Sequence, residues 1–166
     1  MDPTTYLLER IPGYAELDAE ERKAIQEFSL LWSAFEGSVL QSAASPGRLL
    51  KLPLFLEEAG RLDPRVFEIA LAYWRDRYFA DGEPTPHYAG LHMERTTRQN
   101  QSLVRAVLIG EERTPPHVLQ ALLLIVYRLR NNLFHGEKWA YGIRGQRDNF
   151  VHASTVMMGV LDAHRS

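Results

Sequence analysis

The sequence predicts an all-α protein, a single helical bundle of five to six helices, and three observations support this fold class. Apolar residues recur at helical spacing in several segments, and capping residues followed by proline stand where some of these segments begin. No segment alternates apolar and polar residues as a half-buried strand would. No linker is long enough to divide the chain, so we expect one domain over residues 1–166.

Helix-start signals organise the first half of the chain. Asp18 is a capping residue for a helix that we expect to continue to about residue 43. After a loop that contains proline and glycine, a short helix is expected to end near Gly60. Asp63 followed by Pro64 begins the next helix, because proline loses no hydrogen bond in a first turn. The inward-facing stripes of the two longer helices are Leu31, Phe35 and Val39, and then Phe67, Ala70, Leu71, Trp74 and Tyr78.

The second half of the chain contains three further helices. We expect one over about residues 88–109, stopped by Gly110. Thr114 followed by Pro115 opens the next, which is expected to end near Gly136. A last helix follows a glycine-containing loop. The inward-facing stripes are Leu119, Leu122, Val126, Leu129 and Leu133 in the first of these two helices, and Phe150, Ser154, Met157 and Leu161 in the last.

Composition excludes several classes of protein and of site. The net charge of −2 and the absence of cysteine argue against a polycation that coats nucleic acid, against thiolate catalysis and against cysteine zinc sites. Glycine-rich nucleotide motifs, the His-Glu-x-x-His zinc motif and the serine nucleophile elbow do not occur, so we expect no cofactor and no metal. The N-terminus lacks signal-peptide character and the apolar run 118–126 is too short for a bilayer, so a soluble cytoplasmic protein is expected.

Charge is unevenly distributed along the chain. The first 27 residues contain seven acidic and three basic residues. Between positions 128 and 147 the acidic residue Glu137 stands against five basic residues, which are Arg128, Arg130, Lys138, Arg144 and Arg147. This local excess favours an anionic partner near that segment. The alternative is two solvated faces of opposite charge bias.

The most informative segment is 130–136, Arg-Asn-Asn-Leu-Phe-His-Gly, at the end of the long apolar helix. Histidine exchanges protons near neutral pH, so His135 suits proton transfer at a ribose 2′-hydroxyl or a leaving 5′-oxygen. Arg130 carries a planar set of donors that matches phosphate oxygens, and Asn131, on the helix face of His135, is placed to orient the imidazole or contact the phosphate. Arg130 and His135 are separated by about 140° on an ideal helix, so either the helix tightens or ends there, or two copies share the site.

These seven residues resemble the motif of the HEPN family, small helical-bundle domains in which an arginine, usually followed by a polar residue, precedes a histidine. The likeness extends to a long first helix, with Leu31, Trp32, Phe35 and Glu36, and to a final helix after the motif. It implies a metal-independent endoribonuclease whose homodimer brings two such motifs together across a cleft. Members occur in toxin–antitoxin pairs, abortive-infection systems and CRISPR-associated ribonucleases, and some members only bind. In one toxin group a tyrosine two positions after the histidine is modified by an antitoxin; Glu137 stands there in this chain.

Four further residues are weaker candidates for substrate binding: Asn132, Arg128, Lys138 and Glu36. Glu36, on the first long helix, is placed to orient Arg130 or His135, or is simply a solvated or core-edge glutamate. The motif itself also has a purely structural interpretation. Arg130 then pairs with an acidic residue such as Glu36, the asparagines cap the helix end, and His135 is a terminal histidine favoured by the helix dipole.

The expected function is therefore that of an HEPN-type endoribonuclease, a toxin or phage-defence effector, that cleaves RNA by 2′-hydroxyl attack. Arg130, His135 and Asn131 are its expected catalytic residues. RNA, a second copy of the chain, and an antitoxin or regulatory protein are its expected partners. The alternatives are a non-catalytic HEPN-like module that binds a nucleotide, RNA or protein, and a helical interaction protein in which the motif only caps a helix.

Overall fold

The computed structural model describes residues 1–136 and 142–165, and most of these residues are helical, which confirms the all-α fold class. Short 3₁₀ segments, Pro64–Phe67 and Met93–Arg95, precede the fourth and sixth helices, and the strands Phe79–Ala80 (β1) and Glu83–Pro84 (β2) form a small antiparallel pair. The α-helices of the described residues are Pro3–Arg10 (α1), Ala19–Val39 (α2), Pro46–Glu58 (α3), Glu68–Tyr78 (α4), Pro86–Ala89 (α5), Arg98–Leu108 (α6), Pro115–Phe134 (α7) and Arg147–Arg165 (α8).

Helix α7 is the centre of the bundle. It packs against α3, α6 and α8, while α2 lies along α8 and brings the ring of Phe28 to 4.9 Å from that of Phe150. Every residue of α7 from Leu119 to Val126 is buried. Burial of each large aliphatic side chain stabilises the fold by about 1.5–3 kcal/mol, so this helix is firmly held. Among the described helices, α7 included, none combines the length and apolar character needed to cross a membrane.

The predicted start of α2 is confirmed, but its predicted end is not. The side chain of Asp18 accepts a hydrogen bond from the backbone of Glu21 (2.7 Å), and the Glu21 carboxylate accepts one from the backbone of Asp18 (3.0 Å). This reciprocal capping box satisfies two amides that a helix start leaves free. The helix ends at Val39 rather than near residue 43, because Gln41 and Ser42 adopt left-handed backbone angles, with φ of 52° and 56°.

The single helix predicted over residues 88–109 is wrong. The chain there forms α5, a 3₁₀ turn and α6, because His92 takes a left-handed conformation with φ of 57°. Thr97 then caps α6, and its side chain accepts a hydrogen bond from the backbone of Asn100 at 3.2 Å. Gly110, with φ of 83°, follows the end of α6 as predicted. The break places the backbone carbonyls of Gly90 and Leu91 against the last turns of α7.

Candidate active site

Some polar residues near the end of α7 point into the protein, and others point outward. Arg128 and Asn132, one turn apart, point into the protein and are 6% and 1% exposed. Arg130 and Asn131 are half-buried, and His135 is exposed. Residues four apart lie on the same helix face. The rotation of α7 about its axis therefore determines both which residues point inward and which point outward.

The inward pair holds the loop that follows α5. Arg128 donates from Nε to the carbonyl oxygen of Leu91 (3.2 Å) and from Nη2 to the side-chain oxygen of Asn132 (3.0 Å). The Asn132 amide donates to the carbonyl oxygens of Gly90 (3.2 Å) and Leu91 (3.3 Å). These bonds give both side chains a structural role. Both side chains are buried and would first have to become accessible to a substrate, so their predicted contact with substrate stays a prediction.

Arg130 lies between two aromatic rings. The central carbon of its guanidinium is 5.6 Å from the ring centre of Trp32 on α2 and 5.2 Å from that of Phe134, one turn further along α7. Its Nη1 donates to the side-chain oxygen of Asn131 at 3.0 Å, whereas Nε is buried and has no hydrogen-bond partner among the described residues. Aromatic faces attract a guanidinium without neutralising its charge. The Arg130 guanidinium is therefore held in place and retains its charge, so it can still attract an anion.

Glu36 acts on this cluster through Trp32. One carboxylate oxygen accepts a hydrogen bond from the Trp32 indole N–H (3.0 Å), and the other accepts one from the backbone of Ala44 (3.1 Å). No ion pair between Glu36 and Arg130 occurs among the described residues. Glu36 thus orients the ring on which Arg130 rests, and its predicted contact with substrate remains a prediction.

His135 closes α7 and projects from its end. Its backbone amide donates to the carbonyl oxygen of Asn131 (2.9 Å), and Gly136, with φ of 78°, turns the chain away from the helix axis. The imidazole is exposed and makes no side-chain hydrogen bond to the described residues. It is therefore accessible to a ligand. Lys138, predicted to bind substrate, lies outside the described residues.

Asn131 is the connection between Arg130 and His135. Its side-chain oxygen accepts from the guanidinium, and its carbonyl accepts from the histidine amide. No direct bond joins Arg130 to His135 within the described residues, as their separation on the helix predicted. One chain therefore presents a guanidinium and an imidazole at the same helix end, without a direct bond between them.

Two neighbours of the site were missed by sequence reasoning. Phe134 follows Arg130 at a spacing of four, which places the two side chains on the same helix face, so helical periodicity alone would have paired them. Trp32 lies almost a hundred residues earlier, and nothing in its local sequence indicates that its ring faces Arg130. A comparison with known proteins finds no family model, no curated protein and no solved structure that matches this chain.

The two adjacent asparagines provide a matched test of this arrangement. Asn132→Ala is expected to lower the free energy of unfolding by about 2–3 kcal/mol, because it removes the buried acceptor of the Arg128 Nη2 donor and the amide that donates to the carbonyl oxygens of Gly90 and Leu91. Asn131→Ala removes a half-buried group and is expected to change it by no more than about 0.5 kcal/mol. Urea denaturation of both variants measures the difference. Equal destabilisation by the two substitutions would contradict the division into inward and outward groups.

Proposed function

We propose that this protein is a metal-independent endoribonuclease of the HEPN type that acts as a homodimer. The observation that carries the proposal is the end of α7. There an exposed imidazole, His135, follows within five residues a guanidinium, Arg130, that is held by Trp32, Phe134 and Asn131. The resemblance of residues 130–136 to the HEPN motif points to the same chemistry.

The proposed reaction uses the ribose 2′-hydroxyl as the nucleophile. An imidazole removes the 2′-hydroxyl proton, the 2′-oxygen forms a bond to phosphorus, and the bond from phosphorus to the 5′-oxygen breaks. The leaving oxygen takes up a proton, and the products carry a 2′,3′-cyclic phosphate and a 5′-hydroxyl. Arg130 stabilises the negative charge that builds up on the phosphoryl oxygens. Asn131 positions the guanidinium through its 3.0 Å hydrogen bond.

A second copy of the chain explains how this reaction obtains both a base and an acid. In an in-line displacement the attacking and leaving oxygens lie on opposite sides of phosphorus. A single imidazole does not readily reach both oxygens to remove one proton and donate another. Arg130 and His135 also point in different directions within one chain. A two-fold arrangement of two α7 ends supplies two histidines and two arginines around one phosphate.

The biological setting follows from the same resemblance. An endoribonuclease of this size fits a toxin or phage-defence effector that acts on cytoplasmic RNA and is held in check by an antitoxin or another regulatory protein. Positive charge in this part of the sequence supports RNA as the substrate, since Arg130 is half-buried and Arg144 is exposed. The partner that restrains the activity is expected to cover the exposed end of α7.

Purified protein is expected to cleave single-stranded RNA in the presence of EDTA. His135→Ala and Arg130→Ala are each expected to lower the cleavage rate by about 100-fold or more, because they remove the proton-transfer group and the phosphate-binding cation. Gel analysis of labelled RNA gives the rates, and urea denaturation verifies that the variants are folded.

His117→Ala is the matched control for the histidine variant. His117 lies in the first turn of the same helix, is exposed, and contacts Glu112 at 3.0 Å. We expect its removal to leave cleavage unchanged. Cleavage that persists in folded His135→Ala, or that stops when EDTA is added, would contradict the proposed function.

The homodimeric site has its own test. A fixed amount of wild-type protein is mixed with an increasing excess of the double variant Arg130→Ala/His135→Ala, and subunits are allowed to exchange. If each site needs residues of two chains, the cleavage rate is expected to fall toward zero as wild-type chains become paired with inactive ones. A rate that stays constant while mixed dimers form would show that each chain works alone.

A non-catalytic binding module is the second candidate function. It is favoured by the contacts that already occupy Arg130 within one chain, on Trp32, Phe134 and Asn131. The same helix end would then bind RNA or a nucleotide without turnover. Growth arrest on expression of the wild type, relieved by Arg130→Ala, supports the enzyme; equal tolerance of both proteins supports the binding module.

A further inference from the structure

A polar cavity of about 350 Å³ lies between the end of α4, α5 and the turn before α8. Three side chains that carry or can carry a positive charge line it: Arg77, His87 and Arg144. An apolar wall completes it: Pro86, Leu91 and Leu129. Leu129 comes from α7, so this cavity borders the same helix as the candidate active site but does not include Arg130 or His135.

The cavity has a strongly one-sided charge. No carboxylate belongs to the described residues that line it. Two nearby carboxylates have other partners: Glu21 accepts from the backbone of Asp18 (3.0 Å) and of Gly145 (2.7 Å), and Asp148 pairs with Arg147 at 2.6 Å. A concave surface with cations and no neutralising carboxylates concentrates positive potential and attracts anions.

Arg77 has one donor without an acceptor at this wall, although its guanidinium also hydrogen-bonds with the side chains of Tyr73 and Tyr78. Its Nε is buried and has no hydrogen-bond partner among the described residues. A buried N–H that is left without an acceptor costs about 1–3 kcal/mol. Buried donors of this kind are uncommon, and a bound ion is one of the reasons for which they occur. An anion bound beside Arg77 would supply the acceptor.

The floor of the cavity is a fixed network of polar groups. The Oδ1 atom of Asn149 accepts from the Trp74 indole N–H (3.0 Å) and from the Tyr78 hydroxyl (3.3 Å), while its amide donates to Gln146 at 2.8 Å. Burial raises the pKa of Tyr78 well above its usual value, so the phenol stays neutral and adds no negative charge. These bonds tie the start of α8 to α4 and hold the cavity in a preformed shape.

We propose that this cavity binds a small phosphate monoester, with Arg77 and Arg144 contacting the phosphate and the apolar wall contacting the organic part. Guanidinium groups match phosphate oxygens in geometry and charge. The volume lies at the small end of the range of about 300–1,000 Å³ that is typical of ligand pockets, which fits a phosphorylated sugar or nucleotide. This site stands independently of the proposed ribonuclease activity.

Isothermal titration calorimetry with ribose 5-phosphate, inorganic phosphate and ribose tests the proposal. Ribose 5-phosphate is expected to bind, phosphate to compete with it, and ribose not to bind. Arg77→Gln and Arg144→Gln are each expected to weaken the binding of ribose 5-phosphate by about tenfold or more, since each removes a charge-assisted hydrogen bond. Arg98→Gln, which removes one exposed charge on α6, is the matched control and is expected to change it by less than about twofold.

The variants also separate binding from folding and from RNA cleavage. Arg144 is exposed in the turn before α8, so Arg144→Gln tests the site even if Arg77→Gln perturbs the fold. Absence of binding by both phosphate compounds, or unchanged affinity in folded Arg144→Gln, would overturn the proposal. The proposal would also be overturned if a short RNA displaced phosphate and itself bound more weakly to Arg144→Gln. That result would mean that the cavity is part of an RNA-binding surface. Each of these experiments measures binding alone, so its result does not depend on whether the protein cleaves RNA.

Discussion

The buried pair of Arg128 and Asn132 is the constraint on which the arrangement at the end of α7 depends. Both side chains are inside the protein, where they donate to the backbone carbonyls of Gly90 and Leu91, and Arg128 also donates to Asn132. A buried donor without its acceptor costs about 1–3 kcal/mol, and more when it is charged, so α7 has one strongly preferred rotation. That rotation directs Asn131 and His135 outward and lays Arg130 against Trp32.

Contacts then hold Arg130, in the outward group, without removing its positive charge. Aromatic rings hold a guanidinium without removing its charge, and the hydrogen bond that the Trp32 indole N–H donates to Glu36 holds the Trp32 ring in turn. Among the described residues, none forms a hydrogen bond with the His135 side chain, which leaves it accessible for the proposed proton transfer. The site thus combines a positioned cation with an accessible imidazole, the two elements that the proposed reaction requires.

Sequence patterns predicted the parts of the fold that local chemistry determines. The Asp18 cap, the inward stripe of α7 and the stop at Gly110 each follow from a few neighbouring residues, and the structure has all three. Helix α1 was missed although Asp2 followed by Pro3 is a cap-then-proline signal, because the helix is short and none of its residues is buried. The break at His92 was missed because a left-handed residue inside a periodic segment leaves little trace in composition.

The sequence proposes the members of the candidate site, but it does not give the directions of their side chains. The motif predicted Arg130 and His135 as members of the site, which stays a prediction, and no hydrogen bond joins them among the described residues. Sequence alone does not tell which of two adjacent asparagines is buried, because that depends on the rotation of α7 and on carbonyls about forty residues earlier. The same limit applies to Trp32 and to the cavity beside Arg77, whose walls come from distant segments.

The chemical ends of the RNA products test the central claim most directly. After incubation with EDTA-treated protein, mass spectrometry of a short RNA of defined sequence identifies both new ends. Attack by the 2′-hydroxyl predicts a 2′,3′-cyclic phosphate and a 5′-hydroxyl, and it predicts no cleavage at a nucleotide whose ribose carries 2′-deoxy or 2′-O-methyl. New 5′-phosphate ends, cleavage at the 2′-deoxy position, or intact RNA would contradict the assignment of Arg130 and His135 to this reaction.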